Sequence, residues 1–202
     1  MTKSSSVDST NQKIVDAAEK LFAENGYDGT TLRQIATAVG IREPSIYSHF
    51  ANKGAVYGAV IDRALMPFYT EINEWNAHNL TLKELVDIPR SMLTLHSKHP
   101  YSAQILHREY SLPFERINPK VIGWLEQIAE QSYVFIDNVI DGTQSMDKRK
   151  AVVNIITTTN ITLGVFSSMG MQKALMGDDY DQEALFEEHV KIATRIFRSL
   201  ML

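Results

Sequence analysis

Apolar residues between Gln12 and Leu65 recur at three- and four-residue spacings and are punctuated by glycines, the pattern of short amphipathic helices joined by tight turns. Ile14, Ala17, Ala18, Leu21 and Phe22 share one face of a first helix, and Gly26 follows as a stop signal. Thr30 or Thr31 offers a hydroxyl to a second helix. Thr31 with Gln34 three residues on matches a capping box ahead of Leu32, Ile35, Ala36 and Val39. Gly40 comes directly after the last apolar position, where a sharply turning chain needs positive φ, and a third helix starts within a few residues. In that helix Ile46 and Phe50 can face the core. Arg42, Glu43, Ser45, Tyr47, Ser48 and His49 are left at its start and on its outer side. The spacing is that of a helix-turn-helix followed by a long connecting helix.

The rest of the chain shows no strand-like alternation, repeat or low-complexity linker, so the fold class is all-α. A fourth helix begins near Asn52, carries Val56, Val60 and Leu65, and runs toward Trp75 with a kink expected at Pro67, because proline removes a backbone donor. Further helices are predicted over Leu82 to Lys98, Tyr101 to Leu112 and Pro119 to Ile140, with breaks at Pro100 and Pro113 and a stop at Asp141-Gly142. Ser145 or Asp147 caps a helix predicted to run to Met176, and Asp178 to Asp181 leads into a final amphipathic helix. Both carry more apolar surface than one partner covers, and Gly164 with Ser168 makes a small-residue stripe for close helix approach. The domain division is a disordered tail over 1–9, a helix-turn-helix head over 10–55 and a helical body over 56–202.

Charge changes this picture locally. The net charge is -4, yet residues 1–63 carry seven basic and seven acidic side chains, so the head is neutral and any polyanion must be met by Arg33, Arg42 and Lys53 around the third helix. The chain has no cysteine, which removes disulfides and thiolate metal sites; with the polar start MTKSSSVDST this places the protein in the cytoplasm. Ala151 to Gln172 is uncharged and long enough to span a bilayer, but its many Thr, Asn and Ser side chains predict a helix buried among helices, with no membrane partner.

Ala17-Ala18, Leu21-Phe22, Gly26-Tyr27, Thr30-Thr31, Ile35-Ala36, Gly40, Ile46-Tyr47, His49-Phe50 and Asn52-Lys53 fall in an order that resembles the tetracycline-repressor (TetR) family of bacterial regulators. Arg42, Pro44 and Gly54 depart from the usual pattern. The resemblance implies that Thr31, Tyr47, His49 and Lys53 hold the DNA backbone, which positions the head without reading sequence. Arg42, Glu43, Pro44 and Ser45 stand where side chains enter the major groove. Arginine can fork onto guanine, glutamate can accept from cytosine, and proline can touch a thymine methyl. Arg33 suits either role. A core position for Tyr47 and a solvated one for His49 are the plainer alternatives.

The resemblance also implies a homodimer through a four-helix bundle, on a pseudo-palindromic double-stranded operator, released by a small-molecule effector. Interface candidates are Val152, Ile156, Leu163, Gly164, Phe166, Ser168, Leu185, Ile192, Ile196 and Leu200. Met92, His96, Leu106, His107, Tyr110, Trp124, Ile128, Asn160 and Phe166 could line the effector cavity, though apolar stripes mostly pack on each other. His96, His99 and His107 lack the acidic or thiolate partner that metal spacing needs, so no metal or other cofactor is assigned. Arg108-Glu109 suits an ion pair or a polar pocket, and Glu187-Glu188-His189 an exposed face. No nucleophile and base fall together, so the chain is not read as an enzyme. The alternatives are an activating or architectural DNA-binding protein, which at a pI near 5.9 lacks the basic surface for nonspecific compaction, and a helical enzyme.

Overall fold

Gly26 adopts φ 75° and ψ 175° within α1 (Lys3–Gly29), so the first helix bends where the glycine stop is predicted. The computed structural model describes residues 3–77, 82–139 and 148–201. After α1 come α2 (Leu32–Val39), α3 (Glu43–Ile46) and α4 (Lys53–Ala77), then α5 (Leu82–Lys98), α6 (Pro100–Tyr110) and α7 (Pro119–Val139). The chain closes with α8 (Lys148–Ser167), α9 (Met169–Met176) and α10 (Gln182–Met201); no strand occurs among the described residues.

The caps follow the sequence. Thr31 Oγ1 accepts from the Gln34 amide at 3.2 Å while Gln34 Oε1 accepts from the Thr31 amide at 2.8 Å, satisfying two free donors at the start of α2. Gly40 is left-handed at φ 77°, ψ 28° and lets α3 turn off α2. Asn52 Oδ1 accepts from the Ala55 amide, and Asp181 Oδ1 from the Glu183 and Ala184 amides.

Two predicted features differ. The tail expected to be unstructured over 1–9 continues α1 from Lys3, since extending a nucleated helix is cheap. The segment predicted to reach Met176 as one helix is two, bent by 57° after Ser167. Ser168 turns its hydroxyl back onto the carbonyls of Gly164 and Val165 at 2.7 and 3.2 Å, and Gln172 caps the Val165 carbonyl at 3.0 Å, which diverts the α8 ladder. α4 continues past Pro67 as one helix, as the sequence predicts. The Asp141-Gly142 stop and the Ser145 or Asp147 cap lie outside the described residues, as does the side chain of Trp75.

Long α1 packs on α2, α4 and α6, so the head leans on the body as well as on itself. One apolar cluster runs from Ile14, Phe22, Ile35 and Ile46 in the head through Val60, Ile61 and Leu65 of α4 to Leu93, Leu106, Trp124 and Phe166 in the body. It crosses the expected division at residue 55 without a gap. α8 lies between α5, α6, α7 and α10, so its uncharged sequence is covered on most sides by protein. No single helix among the described residues is long and apolar enough to cross a membrane.

Replacing Gly26 by alanine should be costly twice over: its φ is positive, and an added Cβ would lie 2.3 Å from Arg108 Nη1. The expected loss for Gly26→Ala is roughly 1 to 3 kcal/mol, against about 1 kcal/mol for Gly40→Ala, where φ is strained but no atom lies within 4 Å. Thermal melts of the two variants check the order. An equal loss would mean Arg108 swings away freely.

Candidate nucleic-acid interface and its joint to the body

α3 is held by one fully buried side chain, Ile46, with Phe50 half-buried behind it. Everything ahead of and around Ile46 faces outward. Arg42 is the extended N-cap residue with no side-chain cap bond, and Arg42, Pro44, Ser45 and Ser48 are exposed, with Glu43 partly so. Tyr47 is 55% exposed, which rules out the core alternative for it. The result is a firm edge presenting a guanidinium, a carboxylate, an apolar ring and two hydroxyls.

The flanking donors are less free than the sequence suggests. The Thr31 hydroxyl is part of the capping box. Lys53 donates to the Tyr27 and Thr30 carbonyls at 2.9 and 3.0 Å and lies 4.3 Å over the Tyr27 ring, so it closes the end of α1 and keeps one N–H for an anion. His49 is half-buried with Nδ1 enclosed and unpartnered among the described residues, not a solvated side chain. Arg33 is exposed on α2.

Behind this edge lies a joint that the sequence reading missed. Glu109, 3% exposed at the end of α6, accepts from the Tyr57 hydroxyl at 2.6 Å and from the Asn118 amide at 2.7 Å. Burial first, and then this bond to Glu109, push the Tyr57 phenol well above its ordinary range, so it stays a donor. Beside it Arg108 donates to the Ala23 carbonyl at 3.2 Å and fills the notch that Gly26 leaves. Higher up, Glu19 of α1 accepts from Ser102 of α6 at 2.6 Å and from Arg63 of α4 at 3.2 Å. The bond from Arg116 to Asp28 is exposed at both ends and worth little. An open cavity of about 690 Å³ lies among these groups, from Tyr27 and Gly54 to Arg116 and Pro119. Arg108 and Glu109, read as an ion pair or pocket polar group, thus point to separate partners. The signal was present: Glu109 falls four and seven residues after Ile105 and Ser102, on the buried stripe of α6.

In the body, the candidate cavity residues separate. Leu106, His96, Trp124 and Phe166 are buried, and Met92, His107, Tyr110 and Ile128 are partly so. His96 and Trp124 both pack on Phe68, at ring separations of 4.8 and 5.6 Å, and His96 meets Phe166 at 5.8 Å. Asn160 is exposed and donates to the Ile156 carbonyl one turn back, so it belongs to the outer face of α8 and not to a cavity. His99 is exposed while His96 is buried, and no group of three or more metal-ligating side chains converges among the described residues.

The interface candidates divide likewise. Val152, Ile156 and Ile192 are 41%, 41% and 50% exposed, and Leu185, Ile196 and Leu200 are partly covered. Leu163 and Phe166 are instead core, 0% and 4% exposed, on sides of α8 that neighbouring helices cover, His96 of α5 meeting Phe166. A Cβ at Gly164 would point to His107 of α6, 4.0 Å away, and Ser168 is spent on its own helix; the small-residue stripe serves packing within the chain. On α10, Glu187 is not simply exposed: it takes both guanidinium nitrogens of Arg90 at 2.9 Å, while Glu188 pairs with Lys191 and His189 meets Gln172.

Residues 14–60 match the family model described as bacterial regulatory proteins, tetR family. The chain is 26% identical over 133 residues to the biofilm operon icaADBC HTH-type negative transcriptional regulator IcaR of Staphylococcus epidermidis, covering 62% of this chain and 72% of that one. The Staphylococcus aureus protein of that name is 53% identical over 45 residues, 22% of this chain and 24% of its own length. Among solved structures, a TetR-like transcriptional regulator from Rhodococcus sp. RHA1 superposes with a TM-score of 0.67 at 19% identity, over 95% of this chain and 93% of that one. The transcriptional regulator FadR of Bacillus subtilis, solved in complex with stearoyl-CoA, gives 0.60 at 20% identity over 91% and 97%. At these identities the superpositions establish the shared fold.

A double-mutant cycle tests the joint. Glu109→Gln and Tyr57→Phe should each destabilise the chain, with a coupling of about 1.5 to 3 kcal/mol as expected for a hydrogen bond to a buried charge. Additive losses in denaturant melts would mean that the two groups do not act together.

Proposed function

Because the chain belongs to the TetR family of bacterial regulatory proteins, we propose that it works as a homodimeric repressor that holds a pseudo-palindromic operator and releases it when a small molecule enters the helical body. The observation that carries this reading is the outward edge of α3 on its buried Ile46 anchor. Arg42 leads that edge into the major groove, and Glu43, Pro44 and Ser45 follow as base contacts. Tyr47, the remaining N–H of Lys53, His49 and Arg33 lie around it as donors for phosphates, while Thr31 gives both of its donors to Gln34. Such contacts set position and salt dependence and not sequence. Repression follows the name of the Staphylococcus relative, a negative regulator.

Dimer formation is supported by the apolar face that α8 and α10 leave open. Val152, Val153, Ile156 and Ile192 are 41% to 57% exposed there, with Leu185, Ile196 and Leu200 alongside. A second copy covers such a face and supplies the two-fold symmetry of the site. The effector reading is supported by the body fold shared with a regulator solved with stearoyl-CoA, and by where α6 runs. His107 of α6 faces α8 beside the aromatic cluster, and two residues on Glu109 grips α4 of the head joint. A molecule that binds better to one position of α6 shifts the heads by as much as its affinity for the two positions differs.

Arg42→Ala should weaken binding to an operator by roughly 1 to 3 kcal/mol and relax one base position, as mobility shifts against a panel of single-base variants would show. Unchanged preference removes Arg42 from the readers. Val152→Glu with Ile192→Glu should leave the fold intact, lower self-association by roughly 3 kcal/mol or more, and abolish tight operator binding. Sedimentation of the doubly substituted chain checks this; a dimer as stable as the parent places the interface elsewhere.

A further inference from the structure

His96 and Trp124 come from α5 and α7, are 2% and 3% exposed, and pack on the same ring of Phe68. Neither His96 Nδ1 nor Trp124 Nε1 has a hydrogen-bond partner among the described residues. Folded chains satisfy the large majority of such groups, and phenylalanine at position 96 would keep the ring packing without a stranded nitrogen. Two enclosed polar atoms at one aromatic cluster, unpartnered among the described residues, are suited to a partner from outside the chain. The indole N–H can only donate, and the imidazole nitrogen can donate or accept.

The charge of that partner is constrained as well. Burial, and to a lesser extent neighbouring His99, lower His96 to about 3, so its ring is neutral at ordinary pH. Glu109 is the buried carboxylate among the described residues, and its two oxygens are committed to Tyr57 and Asn118 at the joint. A carboxylate or phosphate brought against Phe68, His96, Trp124 and Phe166 would find no buried lysine or arginine among the described residues, and an unpaired buried ion is strongly disfavoured.

We propose that the effector is an uncharged, flat apolar molecule whose carbonyl oxygen takes the Trp124 N–H and whose amide or hydroxyl group completes His96 Nδ1. This rests on the effector reading above and adds the chemical class to it. His96 and Trp124 then act as the specificity residues of the body, and the ligand-free fold carries two unmet nitrogens that occupancy satisfies.

Two experiments on the full chain test it. In the absence of ligand, His96→Phe, with His96→Met as a second variant of similar volume, should melt at or above the parent temperature, by up to about 4 °C. A drop of more than about 2 °C in both would show that the ring nitrogen has a partner within the fold, and would overturn the proposal. In a Trp75→Phe background, where Trp124 is the remaining tryptophan, fluorescence is titrated with benzamide against benzoate and 2-naphthamide against 2-naphthoate. Each pair keeps its frame and changes the charge. The expected result is saturation by an amide at least tenfold tighter than by its acid, with that preference lost in His96→Phe. Equal or tighter binding of the acids overturns the proposal. Stearoyl-CoA separates the two readings. If it saturates the body and releases DNA while the amides do not bind, the effector reading stands and the uncharged class falls; if none of the five binds, both fall.

Discussion

Glu109 is 3% exposed, so its carboxyl oxygens must find hydrogen-bond partners inside the protein, and they do so with one partner in α4 and one backbone amide at the start of α7. Losing either partner would leave a buried carboxyl oxygen unsatisfied, a penalty of roughly 1 to 3 kcal/mol. The surface pairs nearby are far weaker, since Arg116 and Asp28 are mostly in water. The orientation of the head against the body is thus set by Glu109 and by Arg108 in the Gly26 notch, with Glu19 bridging Arg63 and Ser102 farther along α1. Because the apolar cluster is continuous across the same boundary, tilting the head would disturb packing as well as hydrogen bonds.

This constraint gives α6 its proposed role. One side of the helix packs on α8, with His107 facing Gly164, and its last turn holds the joint. A displacement begun in the body has a short covalent path to α4 and α1. The head itself is built to transmit such a movement without deforming, because α2 and α3 are fixed by a capping box, a left-handed glycine and the Ile46 anchor.

Local chemistry made the head legible in the sequence. Thr31, Gln34, Gly40 and Asn52 act on their own neighbours, so their roles appear in linear order, and the apolar spacing around them leaves a single packing solution. The body was legible as helices and much less so as surfaces. Leu163, Phe166 and Gly164 share a helix with Val152 and Ile156, and composition cannot say which side the neighbouring helices will cover. The same uncertainty put Asn160 inside when it lies outside. Ser168 gave no warning that its hydroxyl would divert α8, and Lys53 read as a free cation because its two carbonyl partners lie 26 and 23 residues earlier. Glu109 was the readable miss, a carboxylate on a stripe of otherwise apolar or small residues.

If the joint holds each head rigidly and two bodies associate through α8 and α10, the distance between the two α3 edges is fixed, and the DNA must match it. Selection of binding sites from a random duplex library with the full chain measures this directly. The expected product is an inverted repeat whose half-sites have one spacing, with their centres about one helical turn or a multiple of it apart. Enrichment of an isolated half-site, or of repeats with variable spacing, would contradict a rigid two-headed reader.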